Sequence, residues 1–262
     1  MTYESPNERT KDFVINIKNY FNQQDNITIY DKRNIIKIIE FENKKYVVKS
    51  FKKPHLLNQI VYRFFRDSKA RRSFDNSYKL RKMGINTPLP IGYIEFPTRF
   101  RFLESFYISE FYDFDFEIRA VFSDKNFEDR ENILKKFIEF TYKLHKKNVY
   151  HIDYSPGNIL VKKTTYGYEF SIIDVNRMKF MEFDDELRMK SLAKLTNDLE
   201  DNTFMVRTYA DISKIDEAIL LPKLKFSLEE QGRYLDNKKR FNPTSSSKIS
   251  KSHILGLLSN TK

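Results

Sequence analysis

His151-Ile152-Asp153-Tyr154-Ser155-Pro156-Gly157-Asn158, followed further on by Ile172-Ile173-Asp174, is the stretch that decides how this chain is read. An apolar run, Ile159-Leu160-Val161, leaves Asn158. A turn at Thr164 to Gly167 leads to a second run, Tyr168 to Ile173, that ends on Asp174. The pattern predicts a hairpin with an amide at its start and a carboxylate at its end. Such a hairpin can bring Asn158 and Asp174 to one cation, and hard oxygen ligands of this kind suit magnesium. The short turn from Asp153 to Asn158 places both of those side chains at one mouth.

Upstream, Ile133, Leu134, Phe137, Ile138, Thr141, Leu144 and His145 recur at helical spacing and predict an amphipathic helix leading into the loop. The loop itself has the H-x-D-x-x-x-x-N form of kinase catalytic loops. That chemistry needs a carboxylate to orient an attacking hydroxyl and accept its proton, and an amide oxygen to help hold magnesium. A His-x-Asp in a loop is commonplace by itself. The helix before it and the strand-turn-strand-Asp unit after it make the combination specific. Asp153 is therefore the candidate catalytic carboxylate, His151 the residue bracing the loop, and Asn158 and Asp174 the candidate metal ligands.

The front half has a different character. Ile27 to Tyr30, Ile35 to Phe41 and Tyr46 to Phe51 are β-rich runs with short polar connections, and they predict three antiparallel strands. Leu56, Leu57, Ile60, Val61, Phe64 and Phe65 then repeat at helical spacing. A second helix is predicted from Ser68 to Met83, stopping at Gly84. Ile91 to Ile94 and Phe106 to Phe111 read as two more strands, and Asp184 to about Arg207 as helical again. A β-rich front followed by a helical back predicts an α+β, two-lobed chain. The expected divisions are an N-terminal extension over 1–27, an N-lobe over 28–110, a C-lobe over 111–240 and a low-complexity tail over 241–262.

Composition narrows the function. The chain has 24 Phe and 16 Tyr and no Cys, so it can build a core but has no disulfide, thiolate zinc site or cysteine nucleophile. No signal peptide is read at the N-terminus and no run of apolar residues is long enough to span a bilayer, which gives the expectation of a cytoplasmic protein. The net charge of +11 is unevenly placed: Lys44 to Lys82 holds 13 Lys or Arg against Asp67 and Asp75, and the rest of the chain is balanced. A block of one sign points to an anionic partner such as nucleic acid, phospholipid headgroups or a phosphorylated substrate.

Several of these segments resemble the lipopolysaccharide core kinases, the Kdo and heptose kinases of Gram-negative envelopes. They are Val47-Val48-Lys49-Ser50-Phe51-Lys52-Lys53-Pro54, Ile60-Val61-Tyr62-Arg63-Phe64-Phe65-Arg66, Ser68-Lys69-Ala70-Arg71-Arg72-Ser73-Phe74, and Gly84-Ile85-Asn86-Thr87-Pro88 with Ile91-Gly92-Tyr93-Ile94-Glu95, besides the loop and Asp174. The resemblance covers about residues 28–210 and implies a two-lobed protein-kinase-like fold, with ATP and Mg2+ as cofactors. It makes Lys49 the strand lysine that contacts the phosphates, and an inward Lys on an apolar strand needs an anionic partner in any case. It puts Asp75 where kinases carry a helix Glu paired with that lysine, one methylene shorter than usual. Glu110 and Phe111 fall at the hinge that meets adenine through backbone groups. The phosphate-covering loop departs most: no Gly lies between Thr28 and Phe51, so Asp31-Lys32-Arg33-Asn34 is the only candidate, with Lys32 and Arg33 supplying charge.

Ile152 stands where protein kinases carry Arg, and no Ala-Pro-Glu follows Asp174, so a small-molecule or sugar acceptor fits better than a protein. The resemblance implies a lipopolysaccharide core or lipid A precursor as substrate, and Phe64, Phe65 and Tyr62 among basic residues suit a helix at an anionic membrane surface. Location is then cytoplasmic, at the inner membrane. Arg177, three residues past Asp174, is a candidate contact for an acidic substrate. The second reading is a catalytically silent relative that docks on anionic lipid or a partner. The missing glycines favour it, and Lys49, Asp153, Asn158 and Asp174 oppose it. Nucleic acid ranks third as an explanation of the basic block, because no recognition motif accompanies it. A small-molecule or protein kinase of other specificity ranks third as an activity. Oligomeric state is not readable from the sequence.

Overall fold

β-rich runs from Ile27 to Phe51, parted by short polar connections, build three strands of the first sheet. The computed structural model describes residues 1–31, 34–51, 67–98 and 102–241. They fall into two units, Met1–Asp113 with Ile173–Arg177, and Phe114–Ile172 with the chain from Met178 onward.

The first unit is an antiparallel sheet of six strands: β1 (Thr2–Glu4), β2 (Ile27–Asp31), β3 (Asn34–Phe41), β4 (Lys44–Phe51), β5 (Pro90–Pro97) and β6 (Phe102–Glu110), in the order β1-β5-β6-β4-β3-β2. Glu42 and Asn43, both at positive φ, make the two-residue turn from β3 to β4. Tyr46 and Val48 put their side chains on one face of β4, under α1 (Glu8–Ile15) and α2 (Ile17–Phe21), where Phe13, Val14 and Ile17 join them in the core. Residues 1–27, expected as an extension, are thus built into this unit: β1 pairs with β5, and the two helices bury their apolar stripe on the sheet. Three residues of strand at the chain start are too few to show a period in the sequence.

Phe51 lies on the opposite face with Ala70, Phe74 and Tyr93, because α3 (Lys69–Lys82) packs there. The helix buries Ala70, Ser73, Phe74, Ser77 and Leu80, a stripe at helical spacing. Ser68 caps its start, accepting the Arg71 N–H at 3.0 Å, and Gly84, at φ 67°, follows its end as the sequence predicts. The predicted helix at Leu56 to Phe65 lies outside the described residues, as do the tail beyond Phe241 and the pair Lys32 and Arg33.

The second unit is mostly helical. It holds β7 (Phe116–Glu117), α4 (Ile118–Ser123), α5 (Arg130–Lys146), β8 (Val149–His151), β9 (Ile159–Thr164), β10 (Gly167–Ile172), β11 (Met178–Phe180), α6 (Asp185–Leu192), α7 (Leu199–Ser213) and α8 (Glu217–Phe241). The residues expected to form the inner face of α5 are those it buries, from Ile133 to His145. The helical pattern from Asp184 to Arg207 is two helices. Asp184 and Asp198 each accept a backbone N–H as N-caps, so the second cap starts a new helix after Lys194 and Leu195 turn the chain. Asp201, 1% exposed, accepts from Lys125 at 2.9 Å and Arg130 at 2.6 Å, a buried carboxylate balanced by two cations. Among the described residues no helix is long and apolar enough to cross a membrane.

Candidate functional site

In the second unit the loop from His151 to Asn158 is tied down at nearly every residue. His151 ends β8, opposite Met178 of β11, and is 2% exposed. Its Nδ1 accepts the Asp153 N–H at 3.1 Å, a contact within the loop. Asn158 donates from Nδ2 to the Asp153 carbonyl at 2.8 Å, so its amide oxygen is the end left to accept or ligate. Tyr154, 1% exposed, is hydrogen-bonded through its hydroxyl to Thr141 at 2.8 Å, and burial pushes that phenol well above its ordinary pKa. Asp153 itself stays half-buried between these anchors.

Two further cations hold the loop. Lys194 donates to the Ile152 carbonyl at 2.9 Å and to the Tyr150 hydroxyl at 2.8 Å. Arg119, at the start of α4, lies flat against Gly157: a Cβ on that glycine would stand 1.8 Å from its Nη2. Gly157 is needed for that close approach, because any side chain would displace the guanidinium. Arg119 also meets Glu117 at 3.7 Å.

The first unit holds the other candidates. Lys49 projects from the α3 side of β4, 13% exposed, and its Nζ stands 2.5 Å from Oδ1 of Asp174. Asn176 donates to the same oxygen at 2.7 Å. Asp174 is at φ 59°, a left-handed conformation that Asp tolerates better than most residues, and an outlier at a charged site is itself a pointer to function. Behind it, Asn76 donates to the Val175 carbonyl at 2.7 Å, and Arg72 to the Asn176 carbonyl at 3.1 Å. Arg72 and Asn76 are four residues apart and share one face of α3.

Asp75, expected to pair with Lys49, is placed with Arg71 at 3.6 Å, and Lys49 with Asp174. It belongs to the neighbouring row of the helix, one turn beyond Arg71. Partial burial raises its carboxyl above the ordinary value while Arg71 pulls the other way. Glu110 and Phe111 lie at the end of β6, and their N–H groups bond to the carbonyls of Leu89 and Lys45, both at 2.9 Å. Arg177 is exposed, on the short 3-10 turn Val175–Arg177. Arg72, Asn76, Asn176, Arg119 and Lys194 escaped the sequence reading. The one available signal was a polar pair, Arg72 and Asn76, at i and i+4 beside the buried stripe of α3.

Asp174 in the first unit carries a carboxylate and Asn158 in the second an amide oxygen, each a donor of the kind magnesium takes. Among the described residues no group of three or more His, Cys, Asp or Glu could hold a metal unaided. A cation that keeps water and phosphate oxygens in its shell needs no such cluster.

A sequence profile of the lipopolysaccharide kinase (Kdo/WaaP) family matches residues 28–215. No curated protein matches the chain. Among solved structures, WaaP in complex with acyl carrier protein is similar over 88% of this chain and 99% of its own, at 18% identity and a TM-score of 0.59. WbdD bound to a kinase inhibitor aligns over 78% of this chain and 46% of its own, at 16% identity and a TM-score of 0.44. At these identities the WaaP likeness bears on the fold, which is protein-kinase-like.

Proposed function

We propose, from the premise that this chain belongs to the lipopolysaccharide kinase (Kdo/WaaP) family, that it moves the γ-phosphoryl group of ATP onto a Kdo or heptose hydroxyl of the inner core. Membership makes it a phosphotransferase with an alcohol acceptor, a sugar kinase of lipopolysaccharide biosynthesis that uses ATP. The choice of sugar, the metal and the membrane face are the finer part of the reading.

The observation that carries it is the anchoring of the Asp153 loop. A general base in phosphoryl transfer does little covalent work and must above all be held in place. Asp153 would orient the acceptor hydroxyl and take its proton. Lys49 would neutralise phosphate oxygens once nucleotide competes with Asp174 for its ammonium. Asn158 and Asp174 would hold Mg2+, which when bound supplies charge neutralisation of the phosphates. His151 stays a brace, because its Nδ1 is occupied by the loop backbone. The exposed positions of α3, Lys69, Arg71, Lys79, Arg81 and Lys82, support a phosphate-rich substrate at an anionic, cytoplasmic membrane face. The acyl carrier protein seen with WaaP is a partner to look for in purified material.

The test is transfer of labelled phosphate from Mg-ATP to a Kdo-bearing lipid A precursor. Asp153→Asn should lower turnover by about a hundredfold or more, the usual scale for losing a general base. Near-wild-type turnover in that variant overturns the assignment. The second reading, a silent relative that docks on anionic lipid, is favoured by the absence of Gly between Thr28 and Phe51. It wins if wild type neither transfers phosphate nor binds nucleotide.

A further inference from the structure

The acid that kinases place on the helix opposite the strand lysine is turned elsewhere in this chain, yet α3 still grips the segment that carries Asp174. It does so through backbone carbonyls: Asn76 Nδ2 to Val175 at 2.7 Å and Arg72 Nη1 to Asn176 at 3.1 Å. Val175 and Asn176 are 3% and 8% exposed, so these carbonyls are capped inside the protein. A buried carbonyl that loses its donor is left unsatisfied at a cost comparable to a full hydrogen bond, so the two contacts strongly favour one backbone path. That path is the unusual one. Asp174 sits in the left-handed region, its carboxylate meets Lys49 and Asn176 together, and the two residues after it are the ones α3 holds. Asn176 serves both ends of the device, accepting from Arg72 through its carbonyl and donating to Asp174 through its amide.

We propose that Arg72 and Asn76 are positioning residues that hold Asp174 in its ligating conformation, so that α3 reports to the metal and phosphate end of the site through the 174–176 backbone and not through an acid paired with Lys49. The inference rests on the reading of Asp174 as a metal ligand. A shift of α3 would release the carbonyls, let Asp174 leave its strained conformation and withdraw both the ligand and the partner of Lys49.

The experiment measures the affinity of the full chain for a fluorescent ATP analogue with and without Mg2+, together with melting temperature and the split between KM for ATP and kcat. The variants are Asn76→Asp, which keeps the shape and replaces the donor with an acceptor, Arg72→Ala, Asp174→Asn, and each α3 change combined with Asp174→Asn. Each α3 variant should lose about tenfold or more of the Mg2+-dependent gain in affinity, the usual cost of removing a partner behind a metal ligand. Metal-free affinity should stay within about twofold, and the loss should vanish in the Asp174→Asn background, since coupled residues are not additive. Arg72→Lys should recover part of the gain. Full Mg2+ dependence in Asn76→Asp and Arg72→Ala, with Asp174→Asn impaired, overturns this inference alone. A loss that persists in the Asp174→Asn background, or one that affects metal-free binding equally, reduces the two residues to a structural role. Asp174→Asn binding Mg-ATP like wild type overturns the metal-ligand reading and the inference with it.

Discussion

Gly157 shows how much one missing side chain can decide. Its Cα is the surface on which the Arg119 guanidinium lies, in the turn that sets Asn158 against the Asp153 carbonyl. A methyl group there meets the far end of a flexible side chain, so Gly157→Ala should leave the melting temperature nearly unchanged while displacing Arg119. Phosphate transfer should fall severalfold, and a crystal structure of the variant should show the arginine moved. Unchanged transfer with a displaced Arg119 means that the guanidinium has no part in shaping the loop. Asp153, Asn158 and Asp174 could be nominated from the sequence because loop chemistry demands fixed residue types at fixed spacing. Arg119 and Lys194 were not, because what they touch in the loop itself is backbone, and a backbone atom leaves no mark on the sequence. Asp75, expected opposite Lys49, stands by Arg71 for a related reason. Sequence position names the turn of a helix, but only packing decides which of its rows faces inward.

Among the elements, β5 carries the clearest dependence. A Cβ on Gly92 would stand 2.5 Å from the Glu4 carbonyl and 2.9 Å from a methyl of Val14, so this glycine admits both β1 and α1 to the sheet. One contact is backbone and cannot swing aside. Gly92→Ala should therefore destabilise the protein by about 1–3 kcal/mol, as overpacking does. Urea unfolding measures the loss, and faster hydrogen exchange at Thr2 to Glu4 should accompany it. A variant as stable as wild type would show that β1 and α1 are not held by this approach. The strands from Ile27 to Phe51 could be read as β-rich runs between short polar connections, the bounds of α3 from its stop at Gly84, and the inner face of α5 from its helical spacing. Entry of residues 1–27 into the core could not, since the deciding feature is a small residue far away in the sequence.

At the scale of the whole molecule, the buried polar groups predict a pH response. His145 on α5 is 2% exposed, is hydrogen-bonded through Nδ1 to the Tyr209 hydroxyl of α7 at 3.0 Å, and stacks on Phe183. Burial, with Arg188 of α6 adding its positive charge, lowers its pKa to about 3. The folded protein therefore keeps this imidazole neutral at pH values where the unfolded chain has taken up a proton. Stability should fall as pH drops below about 6.5, by at most about 1.4 kcal/mol per pH unit from this group, until the folded pKa is reached. His145→Gln keeps a partner for Tyr209 and cannot titrate, so its stability between pH 6.5 and 4 should fall less steeply than that of wild type. Parallel curves would mean that His145 contributes nothing to the acid response.

The five residues Ile173–Arg177 belong to the first unit although the first stretch of the second, Phe114–Ile172, precedes them in sequence. On the ribosome this has a consequence of timing. Residues 1–113 emerge with the sheet and α3 ready to form, but Lys49 has no Asp174, and Arg72 and Asn76 have no carbonyls to cap, until some sixty residues more have been made. The unit that ends at Asp113 in sequence is completed only at Arg177. Its last segment arrives as the far strand of the β9–β10 hairpin emerges, so the nascent chain cannot finish its first half before it has built much of its second.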